Sequence, residues 1–130
     1  PKIAAYCVKH IYKPSERIKM YGTKQIRYSR KNWSSLVMYN CSHSSNTKLT
    51  IDDVNTKPGI WLHNFLWLKD REIGSMDTKW NWLEGYSSEK INPKVVHFTR
   101  GGPWFKYKQF HINRSEKKYF REWYNLKKNL

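Results

Sequence analysis

The sequence predicts an α/β domain, and three observations carry that prediction. Short apolar runs with β-branched residues, at positions 3–8, 34–39 and 94–98, have the length and composition of buried strands. Glycine, proline and polar clusters punctuate the chain between them, as connections in a compact α/β unit require. Within residues 111–130, Tyr119, Phe120, Trp123, Tyr124 and Leu126 recur near helical spacing with charges between them, the pattern of an amphipathic C-terminal helix. A chain of 130 residues has room for one hydrophobic core, so residues 1–130 are expected to form a single, partial domain. Seven Trp within a 16% aromatic content supply that core, since each large ring buries about 150–250 Å².

In chain order, Ile3 to Val8 predicts the first strand. Lys9 to Arg30 is polar and basic, with turn signals at Lys13-Pro14-Ser15 and Tyr21-Gly22-Thr23, and reads as a long surface excursion. Ser34 to Tyr39 predicts a second strand, ending in the polar cluster 40–46. Thr50 precedes Ile51-Asp52-Asp53-Val54 as a helix N-cap, its hydroxyl placed to accept from a first-turn amide. Gly59 to Leu68 is apolar at most positions and fits either helix or loop. Trp80 to Leu83 and Lys94 to Phe98 predict short strands, the second set off by Asn92-Pro93 and broken by Gly101-Gly102-Pro103. The strands around Val37, Trp82 and Val96 are expected to share one mixed sheet.

The net charge of +15 is unevenly spread. Residues 1–31 hold nine Lys/Arg against one acid, 32–89 five against seven, and 90–130 eleven against two. Two cationic flanks thus enclose a near-neutral, aromatic middle, and the partners this admits are nucleic acid, acidic lipid, acidic glycan or a nucleotide diphosphate. Cys7 and Cys41 match no zinc spacing or dense disulfide framework, and the expectation is two free, buried thiols in a reducing compartment. No apolar run approaches the roughly 20 residues of a membrane span and no signal-peptide pattern opens the chain, so the expected location is cytoplasmic. The basic flanks also suit peripheral contact with an anionic membrane.

Three constellations could carry chemistry. His97-Phe98-Thr99-Arg100-Gly101-Gly102 joins a neutral metal-ligating imidazole to a forked cation and to two residues without Cβ, which let backbone amides approach a phosphate. An ordinary strand-end turn has the same composition. Asp70-Arg71-Glu72 ahead of Trp80-Asn81-Trp82 places carboxylates where they could bind sugar hydroxyls or stabilise positive charge at an anomeric carbon, or simply cap a solvated helix. Arg27, Arg30 and Lys31 beside Trp33 could serve phosphate contacts and base stacking, a sugar nucleotide, or nothing beyond a solvated basic loop.

Taken in order, the segments RKNWSSLVMYNCSH (30–43), LTIDDVN (49–55), WLHNFLWLKDREIG (61–74), WNWLEGY (80–86) and NPKVVHFTRGGPWF (92–105) resemble glycosyltransferase family eight, the glycogenin and lipopolysaccharide-galactosyltransferase type. The resemblance implies the C-terminal half of a GT-A, Rossmann-like domain: a mixed sheet with flanking helices that binds a nucleotide-diphosphate sugar. It implies hexosyl transfer to a glycan or lipid-linked acceptor with retention, and a divalent cation, Mn2+ or Mg2+, on the diphosphate. His97 resembles the family's later metal ligand, within a motif that runs His-x-x-Gly-x-x-Lys-Pro-Trp. Here the spacing is one residue shorter and Gly102 precedes Pro103 in place of lysine, so Arg100 takes the cationic role. Arg100, Gly101 and Gly102 are thereby implied at the diphosphate.

Ser34 and Ser35 resemble the segment bordering donor sugar and acceptor, with Trp33 in place of asparagine and Ser35 in place of glycine. Asp70 keeps the first carboxylate of an Asp-Gln-Asp segment near the reacting carbon and is the implied catalytic residue. No Asp-x-Asp occurs in the chain. The resemblance places those metal carboxylates upstream of residue 1, so the isolated chain is expected to be inactive and specific nucleic-acid binding is not expected. The reading that stays open from another class is a non-catalytic basic module for nucleic acid or an anionic surface.

Overall fold

A computed structural model describes residues 2–13, 17, 18, 24–99, 101–104 and 116–129. They fall into two compact units, one of residues 1–15 and 26–78 and the other of 16–25 and 79–130, and each is treated by itself.

In the first unit, β1 (Ala5–Cys7) lies between β2 (Val37–Tyr39) and β3 (Ile73–Ser75). It pairs antiparallel with β2, Ala5 opposite Tyr39, and parallel with β3, Ala5 opposite Ile73. Apolar β1 takes the centre, paired along both edges, with Ala5 and Cys7 turned into the core and Tyr6 exposed. Ala4, Ala5 and Cys7 are fully buried and join Phe65, Leu68 and Ile73 in one core, with Trp33, Val37 and Trp67 packed against it. Gly74 of β3 is required by packing, since a Cβ there would lie 2.4 Å from the Tyr6 ring.

Thr50 caps α1 (Ile51–Thr56) as expected. Its hydroxyl accepts from the Asp53 amide at 3.0 Å, and the Asp53 carboxylate accepts from the Thr50 amide at 3.0 Å. The bond from the Thr50 amide, and next the one its hydroxyl donates to the same carboxylate at 2.8 Å, hold the Asp53 carboxyl below its usual range. The apolar run after Pro58 resolves into a short helix, α2 (Gly59–His63), that ends in turns through Asn64 and Phe65. Asp70–Glu72 forms a 3-10 turn leading into β3. Glu72 closes it by accepting from the Lys69 amide at 2.7 Å and the Ser45 hydroxyl at 2.9 Å, which lowers its pKa in that order of importance.

In the second unit, β4 (Trp82–Leu83) and β5 (Val96–His97) pair in parallel, Leu83 opposite His97. The helix α3 (Glu116–Lys128) lays its aromatic face on them. Tyr119 meets Trp82 with ring centroids 5.2 Å apart, and Phe120 stacks on Phe98 at 5.3 Å and 10°. The expected helical stretch at 111–115 lies outside the described residues.

Two expectations change. Val37 belongs to the three-stranded sheet, whereas Trp82 and Val96 belong to a separate two-stranded sheet, so one sheet does not contain all three. Side-chain alternation identifies a strand but carries no information about its partner, and strands of two or three residues leave register to the surrounding packing. Cys7 is buried but Cys41 is exposed, and both thiols are free. Burial pushes the Cys7 thiol up to about 11, against small opposing effects of Lys9 and Arg30. A thiol-specific reagent at pH 8 should therefore modify one equivalent, at Cys41, with Cys7 reacting only after denaturation, as read by mass spectrometry. Equal reaction at both sites in the folded protein would contradict the buried β1.

Candidate functional site

The first unit gathers Ser34, His63, Asp70 and Arg30 from three separated stretches of chain. Asn32, with φ of 67°, turns the backbone into the 3-10 turn Trp33–Ser35. Asparagine tolerates this left-handed geometry better than most residues. Ser34 and Ser35 thus lie on a turn before β2 and not on the strand, because short hydroxyl side chains compete for nearby backbone groups: Ser35 Oγ donates to the Asn32 carbonyl at 2.6 Å. Ser34 Oγ is 2.8 Å from His63 Nδ1 at the C-terminal end of α2, with donor and acceptor set by the histidine tautomer.

Asp70 pairs with Arg30. The Arg30 guanidinium donates one Nη to Asp70 Oδ1 and the other to the main-chain carbonyl of Asn64, and it lies 5.7 Å from the centroid of the Trp33 indole. Trp33 Nε1 donates to the His10 carbonyl at 3.0 Å, and Lys9 also lies over the ring at 5.6 Å. Lys31 is turned inward, donating to the Ile26 carbonyl with Tyr28 and Tyr12 rings 5.3 and 5.7 Å away. Of the three cations in this stretch, Arg30 and Lys31 therefore have internal partners, while Arg27 is exposed. This departs from a wholly solvated basic loop.

In the second unit, His97 ends β5, with its carbonyl accepting from the Glu84 amide at 3.0 Å. Its Nδ1 is buried and makes no hydrogen bond, and burial lowers its pKa, so the imidazole is neutral at pH 7. A neutral imidazole with an uncommitted nitrogen fits a divalent cation. It is one donor only: among the described residues no three His, Cys, Asp or Glu side chains come together.

Thr99 Oγ1 donates to the Glu84 carbonyl at 3.0 Å and holds the segment after His97 against β4. Gly101 has φ of 108°, which a side chain would strain. A Cβ on Gly102 would lie 2.1 Å from the Trp104 ring. The turn itself thus requires glycine at 101, whereas the contact at Gly102 is with the outer edge of the exposed Trp104 ring; both glycines are buried. Arg100 lies outside the described residues.

Asn81, of the Trp80-Asn81-Trp82 constellation, is buried at 1% exposure, and beside it Glu84, at 2%, is a buried carboxyl that the reading from sequence did not select. A carboxylate following the apolar pair Trp82-Leu83 and preceding Gly85 was the available signal. His63 was missed too, since its partner Ser34 is 29 residues away.

No family model matches the chain, and no solved structure matches it. The chain is similar to a protein of Arabidopsis thaliana named Protein CDI, with 53% identity over 109 residues. That alignment takes in 80% of this chain and 42% of the plant protein, so the chain spans less than half the length of this relative. Among the described residues, no helix is long and apolar enough to cross a membrane.

Proposed function

We propose that the chain is part of a metal-dependent glycosyltransferase, a hexosyltransferase that moves a sugar from a nucleotide diphosphate to a glycan or lipid-linked acceptor. The observation that carries this reading is His97: a neutral imidazole at a strand end, its Nδ1 buried without a partner, in a segment that runs on to a buried glycine pair of which Gly101 adopts left-handed backbone. The ordered resemblance to glycosyltransferase family eight supplies the reaction class. In this reading His97 is one ligand of Mn2+ or Mg2+, and the ion stabilises the negative charge that develops on the departing diphosphate. Arg100 and the backbone at Gly101 and Gly102 serve the diphosphate, Ser34 and Ser35 the donor sugar, and Asp70 the anomeric centre, where a carboxylate stabilises developing positive charge.

The remaining metal ligands are expected from an upstream Asp-x-Asp, because hard divalent cations need more oxygen donors than the residues here provide. The test is a panel of radiolabelled UDP-, GDP- and ADP-sugars with manganese, offered to the full-length polypeptide and to residues 1–130. Hydrolysis or transfer by the full-length protein, abolished by a chelator and missing from residues 1–130, is the expected result. Absence of binding and turnover with every sugar nucleotide in the full-length protein would overturn the reading. Salt-resistant, sequence-selective nucleic-acid binding would favour the basic-module alternative instead.

A further inference from the structure

The contact between Arg30 and Asp70 is built more expensively than its own stability explains. Asp70 is 88% exposed at its side chain, and ion pairs with so exposed a partner contribute about 0–1 kcal/mol. Against that stand three non-glycine residues with left-handed backbone in the segments that make the contact: Arg30 at φ 56°, Asn32 at 67° and Phe65 at 52°. For residues such as arginine and phenylalanine this geometry costs roughly 1–2 kcal/mol each. One left-handed residue is Arg30 itself, and another directly follows Asn64, whose carbonyl Arg30 binds. Core burial offsets the strain at Phe65 and asparagine tolerates this geometry, so what the exposed pair must offset is the strain of Arg30 itself, and backbone strain that a weak pair leaves over is the mark of a position held for use.

The guanidinium is fixed on three sides: by the Asn64 carbonyl, by Asp70 Oδ1 and by the Trp33 ring. Its side chain is only 17% exposed, so it reaches Asp70 from within the unit. Among the described residues Asp70 accepts through Oδ1 alone, and Oδ2 is left without a partner. A planar fork held in this way orients a carboxylate as a flexible ammonium cannot.

We propose that Arg30 is the positioning residue for Asp70: it closes Oδ1 and presents Oδ2 to a hydroxyl-bearing ligand. The inference deepens the transferase reading and rests on it for the identity of that ligand, the donor sugar. It does not rest on that reading for the orientation itself.

The experiment therefore has two arms on the full-length polypeptide. In the first, 15N-arginine spectra at low temperature follow the Arg30 Nη signals. Hindered guanidinium rotation in the wild type that is released in Asp70→Asn is expected, and free rotation in the wild type would overturn the proposal whatever the protein's activity. In the second, turnover of the sugar nucleotide found active in the panel is compared for Arg30→Gln, Asp70→Asn and the double variant. Arg30→Gln should lower kcat about 10-fold or more with KM changed less than threefold, and the double variant should be no slower than Asp70→Asn alone. Additive losses, or a fall confined to KM, would overturn the positioning role. Arg30→Lys, which keeps charge and bulk, should show the same kcat defect, and full kcat in that variant would also count against a fork-dependent role. If the wild type turns over no sugar nucleotide, the transferase reading fails while the arginine spectra still decide the proposal.

Discussion

Replacing His97 with alanine in the full-length polypeptide should lower metal-dependent sugar transfer by at least about 100-fold. Losing even an outer partner of a metal ligand typically costs 10–100-fold, and His97 is proposed as a ligand itself. Excess manganese should restore part of the activity, because a weakened site is refilled by mass action. The pH profile gives a second readout. Burial lowers the pKa of His97, so its folded-state value lies below the usual 6.5. The neutral, metal-competent form then persists to more acid pH than in an ordinary histidine. The fold loses stability as pH falls below 6.5, where the unfolded chain takes up the proton first, and the loss grows until the depressed folded value is passed. An active enzyme indifferent to His97→Ala, at all metal concentrations, would remove the metal role.

Phe65→Ala should be the most damaging single change to folding, at about 3–5 kcal/mol in urea denaturation. Phe65 is fully buried and meets Trp67 and Tyr39 edge-on, with ring centroids 5.6 and 6.5 Å apart. Its φ of 52° makes a sharper comparison available. Glycine usually destabilises relative to alanine by about 0.5–1 kcal/mol, but it accepts left-handed geometry without strain. Phe65→Gly should therefore be no less stable than Phe65→Ala, and the ordinary order between them would show that the strain at this position is absent. A loss near 1 kcal/mol for Phe65→Ala would mean that Phe65 is not the centre of the first core.

Local features were the legible ones. Thr50 ahead of Ile51-Asp52-Asp53-Val54 states a helix start in the sequence itself, and its hydroxyl accepts from the Asp53 amide as expected, while the bond from the Thr50 amide back to the Asp53 carboxylate is an addition of the structure. The run from Ile3 to Val8 was recognisable as a strand because it is apolar throughout, which suits the centre of a sheet. His97 stood out by preceding a glycine pair at the end of a β-branched run. What depends on distant chain was not legible. Arg30 reads as one more cation in a basic loop, and its hydrogen-bond partners, Asn64 and Asp70, lie 34 and 40 residues away. Ser34 and Ser35 were placed on a strand because the apolar residues after them dominate the pattern, while the left-handed turn at Asn32 that sets them apart leaves only an asparagine as its trace. Lys31 likewise gave no hint of burial, since the Tyr12 and Tyr28 rings that shelter its ammonium belong to a stretch that looks entirely polar.

The thiol of Cys7 makes the central strand its own reporter. Only the thiolate reacts, and a reagent reaches it only when β1 leaves the core, so its modification rate is the intrinsic rate multiplied by the open fraction. Measured under native conditions, that rate converts directly into an opening free energy for the sheet, with no label or added probe near Asp70. Compared with and without a sugar nucleotide, it reports whether a ligand recognised by this protein tightens β1. A bound ligand would then register as slower chemistry at a sulfur that never touches it.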